Sequence, residues 1–396
     1  MIEHKIIPFQ QFVESLHAVK HKDLMEKASF ANKTNDVFEE MRQHLTDYYK
    51  QVESTHSFRD HTRQVWDCVP INKQPAAFRH KEPPAKPRAI PGKHTEPQAE
   101  NLHRSAFTIG EEDEEDNPRA CPEGCVPIRR LTLDELGRFH TLQDYFRKTP
   151  GRAKPMLEVS LAMEPDNYRH LHAHGYQWID NLGGRSSLNI WNPTVNGQDE
   201  VFSLSQDRHV GGEGDVMQTV ETGWQVWSPE FHGNGPCLFT YWTADNYNNT
   251  GAYNGADGNF MQVSHQWAPG QPLSPSTAGG NQSDMDIAWC LLDGKWWLYV
   301  NGIDAQNAVG YYHATLYGAG PLSQSAQLID YGGEVCDLQS IAPMGSGLFP
   351  AAGYKQSAYQ RNIYCFTANG NNPTAALQPE EGAHNCFQIE IANSAA

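Results

Sequence analysis

The sequence predicts a mainly β protein, an antiparallel β-sandwich or barrel preceded by a partly helical N-terminal region. Three observations predict it. From about residue 156 onward, short runs rich in β-branched and aromatic residues alternate with Gly, Asn and Asp turns. Before that point, apolar residues recur at helical rather than alternating spacing. Between the two stretches, residues 70–120 are rich in Pro, Lys and acidic residues.

Each element follows in order. In the first 55 residues, Phe38, Met41, Leu45 and Tyr48 fall at three- and four-residue spacing with charges between them, which predicts helix. KQPAAFRHKEPPAKPRAIPGKHTEPQ and GEEDEEDNPR have little apolar surface to bury, so residues 79–120 read as an exposed, flexible connection. TLDELGRFHTLQDYF (132–146) reads as a helix opened by a Thr132–Glu135 capping box. RKTPGRAKP then looks like an exposed linker, dividing an N-terminal region (1–150) from a β domain (151–396). LEVSLAM, SSLNIWN, VFSLS, ETGWQVW, CLFTYWT, MDIAWCLL, KWWLYVNG and YYHATLY are the strand candidates.

Composition bounds the function. The 396-residue chain is 39% hydrophobic and 11% aromatic, enough for a sizeable core. Its formal charge of −17 disfavours nucleic acid and anionic membranes as partners, and suits an acid setting in which carboxylates protonate. No run of about 18 apolar residues suggests a membrane span, and the N-terminus lacks the apolar stretch of a signal peptide. The cysteines are even in number (eight), without a paired CxxC zinc pattern, and sequons stand at Asn32, Asn248 and Asn281. These features lean toward secretion.

Two carboxylates stand out. In QTVETGWQVWSPE, Glu221 shares a strand face with Gly223, Gln225 and Trp227. In DYGGEVCD, Glu334 shares a face with Gly332, again two residues away. A glycine beside each acid leaves room for another backbone to approach. If the two acids meet, like charges at close range force one pKa up, and the pair holds both a general base and a general acid. Peptide and glycoside hydrolysis both use such a pair. HLHAHG places His170, His172 and His174 on one face at a spacing that can hold a metal, but without an acidic or cysteine cluster nearby in sequence, so packing weighs more. FTYWTADNY offers a polar–aromatic surface for a ring-shaped group, proline or sugar, and reads equally as ordinary core.

An ordered series of motifs resembles the neprosin family of glutamic prolyl endopeptidases. It runs through DCVPINKQPAAF (67–78), CPEGCVPIRR (121–130), SLNIWNP (187–193), FSLSQ (202–206), VETGWQV (220–226), LFTYWTADNY (238–247), YGGEV (331–335), MGSGLFP (344–350) and YQRNI (359–363). The resemblance implies a concanavalin- or jelly-roll-like antiparallel β-sandwich with an N-terminal propeptide removed autocatalytically in acid. It implies Glu221 and Glu334 as the catalytic pair cleaving after proline, and no cofactor or metal. Gln225, Tyr241, Trp242 and Tyr331 are the substrate-binding candidates. Cys68–Cys121 follows by motif match, and Cys365–Cys386 is a second pairing. Departures from the family pattern are Ala252 for a cysteine, Tyr331 for tryptophan and Cys125 for threonine.

The expectation is therefore an extracellular, monomeric, acid-active endopeptidase held by its own propeptide, acting on proline-containing peptides. A β-sandwich glycoside hydrolase using the same pair, and a noncatalytic module binding Pro-rich proteins or glycans, are the alternatives. Two geometric consequences follow. The carboxylates must lie within about 10 Å to share a proton or water, and residues of the 1–150 region must cover them.

Overall fold

The computed structural model describes residues 5–92, 102–107, 110–149, 169–196, 200–228, 233, 235–337, 341–381 and 385–392. LEVSLAM lies outside these residues. The N-terminal region opens with helices α1 (Phe9–Ala18), α2 (His21–Leu24) and α3 (Asn35–Tyr49). In α3 three of the four predicted stripe residues, Phe38, Met41 and Leu45, are fully buried, whereas Tyr48 is half-buried and its neighbour Tyr49 takes the buried place. Strands β1 (Ser57–Arg59), β2 (Val65–Pro70) and β3 (Cys125–Arg129) form a small antiparallel sheet, with helix α4 (Pro75–His80) between the last two in sequence.

The single helix expected over 132–146 is two short ones, α5 (Leu133–Leu136) and α6 (Leu142–Phe146). Each has its own cap: the Thr132 side chain accepts from the Glu135 amide, and Thr141 forms a capping box with Asp144. Local capping at Thr141 restarts the helix, so the apolar spacing across the break is not one continuous stripe.

The described residues of the 79–120 segment are mostly exposed or half-buried, as the composition suggests, but three buried side chains fix them to the fold. Ile90 is buried against the six-stranded sheet described below. Phe107 packs edge-on to Trp66 and Phe58. In the acidic run, buried Asp113 accepts the backbone N–H groups of Arg59, Glu115 and Asn117, tying the loop to β1. A few well-placed anchors suffice where average composition predicts none. Cys68 and Cys121 form a disulfide across 53 residues. Replacing both with serine is expected to lower stability by about 2–4 kcal/mol, read by thermal or urea denaturation. Cys365 and Cys386 are not bonded; the first is buried in the sandwich and the second is exposed.

The β domain contains β4 (Arg169–Asn181), β5 (Gly183–Asn189), β6 (Glu200–Gly211), β7 (Gln218–Trp227), β8 (Cys237–Thr243), β9 (Ala252–Tyr253) and β10 (Met261–Gln262). These are followed by β11 (Asp284–Leu292), β12 (Lys295–Val300), β13 (Ala308–His313), β14 (Ala326–Asp337), β15 (Gln360–Cys365) and β16 (Gln378–Glu381). A seven-stranded sheet, β16-β4-β14-β6-β7-β8-β9, stacks on a six-stranded one, β10-β13-β12-β11-β5-β15. All the pairings within them are antiparallel, as the alternating strand pattern requires.

Period-two alternation divides each strand of the larger sheet between two cores. Val220, Trp224, Val226, Leu238 and Trp242 face the six-stranded sheet and pack with Trp289, Trp296 and Tyr312. Leu204, Trp227, Phe239, Tyr241 and Tyr253 face the other way and pack against α1, α3, α5 and α6. The N-terminal region thus covers the outer face of the seven-stranded sheet, the face that carries Glu221. Among the described residues, no helix is long and apolar enough to cross a membrane.

Candidate active site

Register brings the acids together. β14 and β7 both pair with β6, so Glu334 lies opposite Leu204 and Glu221 opposite Arg208, with β6 between them. Both carboxylates are completely buried. Between them sits the ammonium of Lys148, also buried, with Nζ 2.7 Å from Glu221 Oε2 and 2.7 Å from Glu334 Oε2. The two Oε2 atoms are therefore no further apart than twice that distance, well inside the limit for a shared proton or water. Of RKTPGRAKP, residues 150–155 lie outside the described residues, and Lys148, its second residue, is not exposed but is the counterion of the pair.

The outer oxygens have separate partners. Glu221 Oε1 accepts from the Thr219 and Tyr247 hydroxyls, each at 2.6 Å. Glu334 Oε1 is 2.6 Å from His170 Nδ1 and 3.7 Å from His172 Nε2. Gln206 Nε2 donates to Glu334 Oε2 at 2.9 Å. Burial alone raises a carboxyl pKa, yet Lys148, His172 and His170 hold Glu334 well below the usual carboxylate range. Lys148 is pulled down by burial and raised overall by Glu221 and Glu334. Burial also opposes the charge on His170, but Cys336 and Glu334 outweigh it and raise its pKa to about 10. For His172 burial dominates and lowers the pKa to about 4.

The glycines beside the acids do not open space for a ligand backbone. A Cβ on Gly223 would meet the Ser205 carbonyl oxygen at 1.9 Å, and Gly332, at φ +153°, would meet the Ala173 carbonyl at 2.5 Å. The backbones that approach are those of the neighbouring strands.

Of the predicted binding residues, Tyr241 and Gln225 line the Glu221 side. Tyr241 is the register partner of Glu221, and its ring meets Tyr253 and Tyr247 at centroid distances of 4.7 and 5.9 Å. Gln225 Nε2 donates to the Tyr253 hydroxyl, which in turn reaches the Lys148 carbonyl. Trp242 and Tyr331 do not line the site. Trp242 packs in the core between the sheets and donates Nε1 to Asp257. The Tyr331 hydroxyl is 3.2 Å from His209 Nε2, on the face opposite Glu334. Both are one or three residues from a site residue, so alternation points them inward.

The three histidines of HLHAHG share the Glu334 face, but they contact carboxylates: His170 and His172 meet Glu334, and His174 meets Asp330. Among the described residues no group of three His, Cys, Asp or Glu side chains could hold a metal. Beyond His172 the same face opens into a groove of about 400 Å³ lined by His174, Tyr176, Trp178, Arg208 and Asp330. Trp178 is 57% exposed there. Lys148, Gln206 and Tyr247 are site residues that the sequence does not mark, and His170, read there as a metal-ligand candidate, is instead a partner of Glu334. Gln206 ends FSLSQ and Tyr247 ends LFTYWTADNY, but only strand register and loop packing bring them to the acids.

A family model described as Neprosin matches residues 199–396, which carry both acids. Among solved structures, scytalido-glutamic peptidase with a transition state analog inhibitor is 9% identical, covering 58% of this chain and 97% of that one at a TM-score of 0.31. SCP-B, a member of the Eqolisin family of peptidases in a complex with the tripeptide Ala-Ile-His, is 9% identical over 56% of this chain and 92% of that one, with a TM-score of 0.26. Sheep galectin-11 in complex with glycerol is 10% identical over 41% of this chain and 91% of that one, with a TM-score of 0.21.

Proposed function

Because this chain belongs to the neprosin family, we propose that it is a glutamic endopeptidase, made as a latent precursor, that hydrolyses peptide bonds after proline in acid. The observation that carries this reading is the Lys148 ammonium held between two buried glutamates. A lysine in that place pairs with both acids and occupies the gap in which a water and a scissile bond would have to sit.

With Lys148 withdrawn, two carboxylates face one another in a water-poor cleft and cannot both stay ionised. The ionised one takes a proton from water as its oxygen attacks the carbonyl carbon. The protonated one gives its proton to the amide nitrogen as the C–N bond breaks. The groove past His172 supplies a place for the substrate chain, with Tyr176 and Trp178 as flat apolar faces. The Cys68–Cys121 disulfide suits an extracellular setting.

The test is a proline-containing reporter peptide incubated with acid-treated protein at about pH 3. Cleavage on the carboxyl side of proline, after loss of the N-terminal region, is the expected result. An intact peptide overturns the reading. Release of reducing ends from an oligosaccharide would place the same pair in glycoside hydrolysis.

A further inference from the structure

Gln206 lies on β6 directly between the two acids. Its cross-strand neighbours are Gly332 on β14 and Gly223 on β7, so neither flank carries a side chain. The residue is 4% exposed. Its Nε2 donates to Glu334 Oε2, the same oxygen that holds Lys148. That acceptor defines which end of the amide carries the nitrogen. The other end, Oε1, is buried with no hydrogen-bond partner among the described residues. A buried amide oxygen without a donor lowers stability, and its retention calls for an explanation.

The remaining donors of the site are turned outward. Thr219 and Tyr247 bond Glu221 Oε1, and His170 contacts Glu334 Oε1. Only Lys148 and Gln206, among the described residues, hydrogen-bond to the Oε2 atoms that face the gap. When Lys148 leaves, Gln206 is the neutral donor left there.

We propose that Gln206 is a further catalytic residue, whose Nε2 donates to the oxyanion of the tetrahedral intermediate while Oε1 accepts a substrate backbone N–H. As water oxygen bonds to the carbonyl carbon, the C=O electron pair moves onto oxygen, and Nε2–H stabilises that charge. When the C–N bond breaks, the pair returns and the hydrogen bond relaxes. A donor aimed at charge that exists only at that stage acts on turnover rather than on binding.

This inference rests on the peptidase reading, and the experiment separates the two. Acid-processed wild type, Gln206→Met and Gln206→Glu are compared on the proline reporter across pH, with thermal melting of each processed form. Gln206→Met, similar in volume and without a donor, is expected to lower kcat by about 10²–10³-fold with KM within a few-fold of wild type. Gln206→Glu keeps a donor only while protonated, so its activity is expected to fall as pH rises through about 4.3, below any corresponding fall in wild type. An inactive wild type overturns the peptidase reading, and this inference with it. An active wild type with Gln206→Met within threefold of its kcat, or a Gln206→Glu profile that overlays wild type, overturns the Gln206 assignment alone. If Gln206→Met does not fold, the Gln206→Glu profile decides.

Discussion

Exchanging either acid for its amide removes turnover. Glu221→Gln and Glu334→Gln are each expected to lower kcat by about 10³-fold or more, since general acid–base catalysis supplies roughly 10²–10⁴ and a glutamine can neither accept nor share the proton. The substitutions are nearly isosteric, and the surrounding hydrogen bonds differ in a telling way. Glu334 Oε1 faces His170 and Glu221 Oε1 faces two hydroxyls, so the amide nitrogen of either variant meets a group already inclined to donate. Steady-state kinetics on the proline reporter, with melting curves as controls, measures the effect. A folded variant retaining a tenth of wild-type kcat would remove that glutamate from the mechanism.

Removing the lysine has the opposite outcome. Lys148→Met keeps the length of the side chain but leaves two carboxylates buried face to face without a counterion. Breaking a buried pair in this way costs about 3–5 kcal/mol, so the precursor is expected to open, and to process itself, at a higher pH than wild type. The sign for the wild type follows from two groups. Glu334 titrates below its ordinary range in the closed form, so its contribution to closure is complete above that range and lost as pH falls through the depressed value. His172 is held neutral down to about pH 4, below its ordinary value near 6.5. Closure therefore weakens as pH falls through that interval, because burial and the Arg208 and Lys148 charges oppose a charged His172 more than Glu334 and Asp330 favour it. Wild-type processing is expected to begin as pH drops to about 4, whereas Lys148→Met extends it upward. Gel analysis of the precursor across pH reads the difference, and identical profiles would mean that Lys148 does not hold the precursor shut.

What was legible in the sequence was local or periodic. The strands, the helical stripe of α3 and the shared strand setting of the two acids all follow from spacings of two or three to four residues, which side-chain geometry imposes whatever surrounds them. Even the misplacement of Trp242 and Tyr331 violates that same rule, because they stand at odd separations from Tyr241 and Glu334. Composition misled where a few anchors outweighed the average, as at Ile90, Phe107 and Asp113.

Local spacing in the chain is enough to specify the β strands, the helical character ahead of them and the two acids with their alternating faces. What meets those acids is set by contacts between residues far apart in the chain. Lys148 is 73 residues from Glu221 and 186 from Glu334, and Gln206, though it ends FSLSQ, meets the acids only through strand register. Nothing in the local chemistry of Arg-Lys-Thr-Pro distinguishes a lysine bound for water from one bound for a buried carboxylate pair. That choice is made by long-range packing: the N-terminal helices bury their apolar faces on the sheet and carry the lysine into the gap.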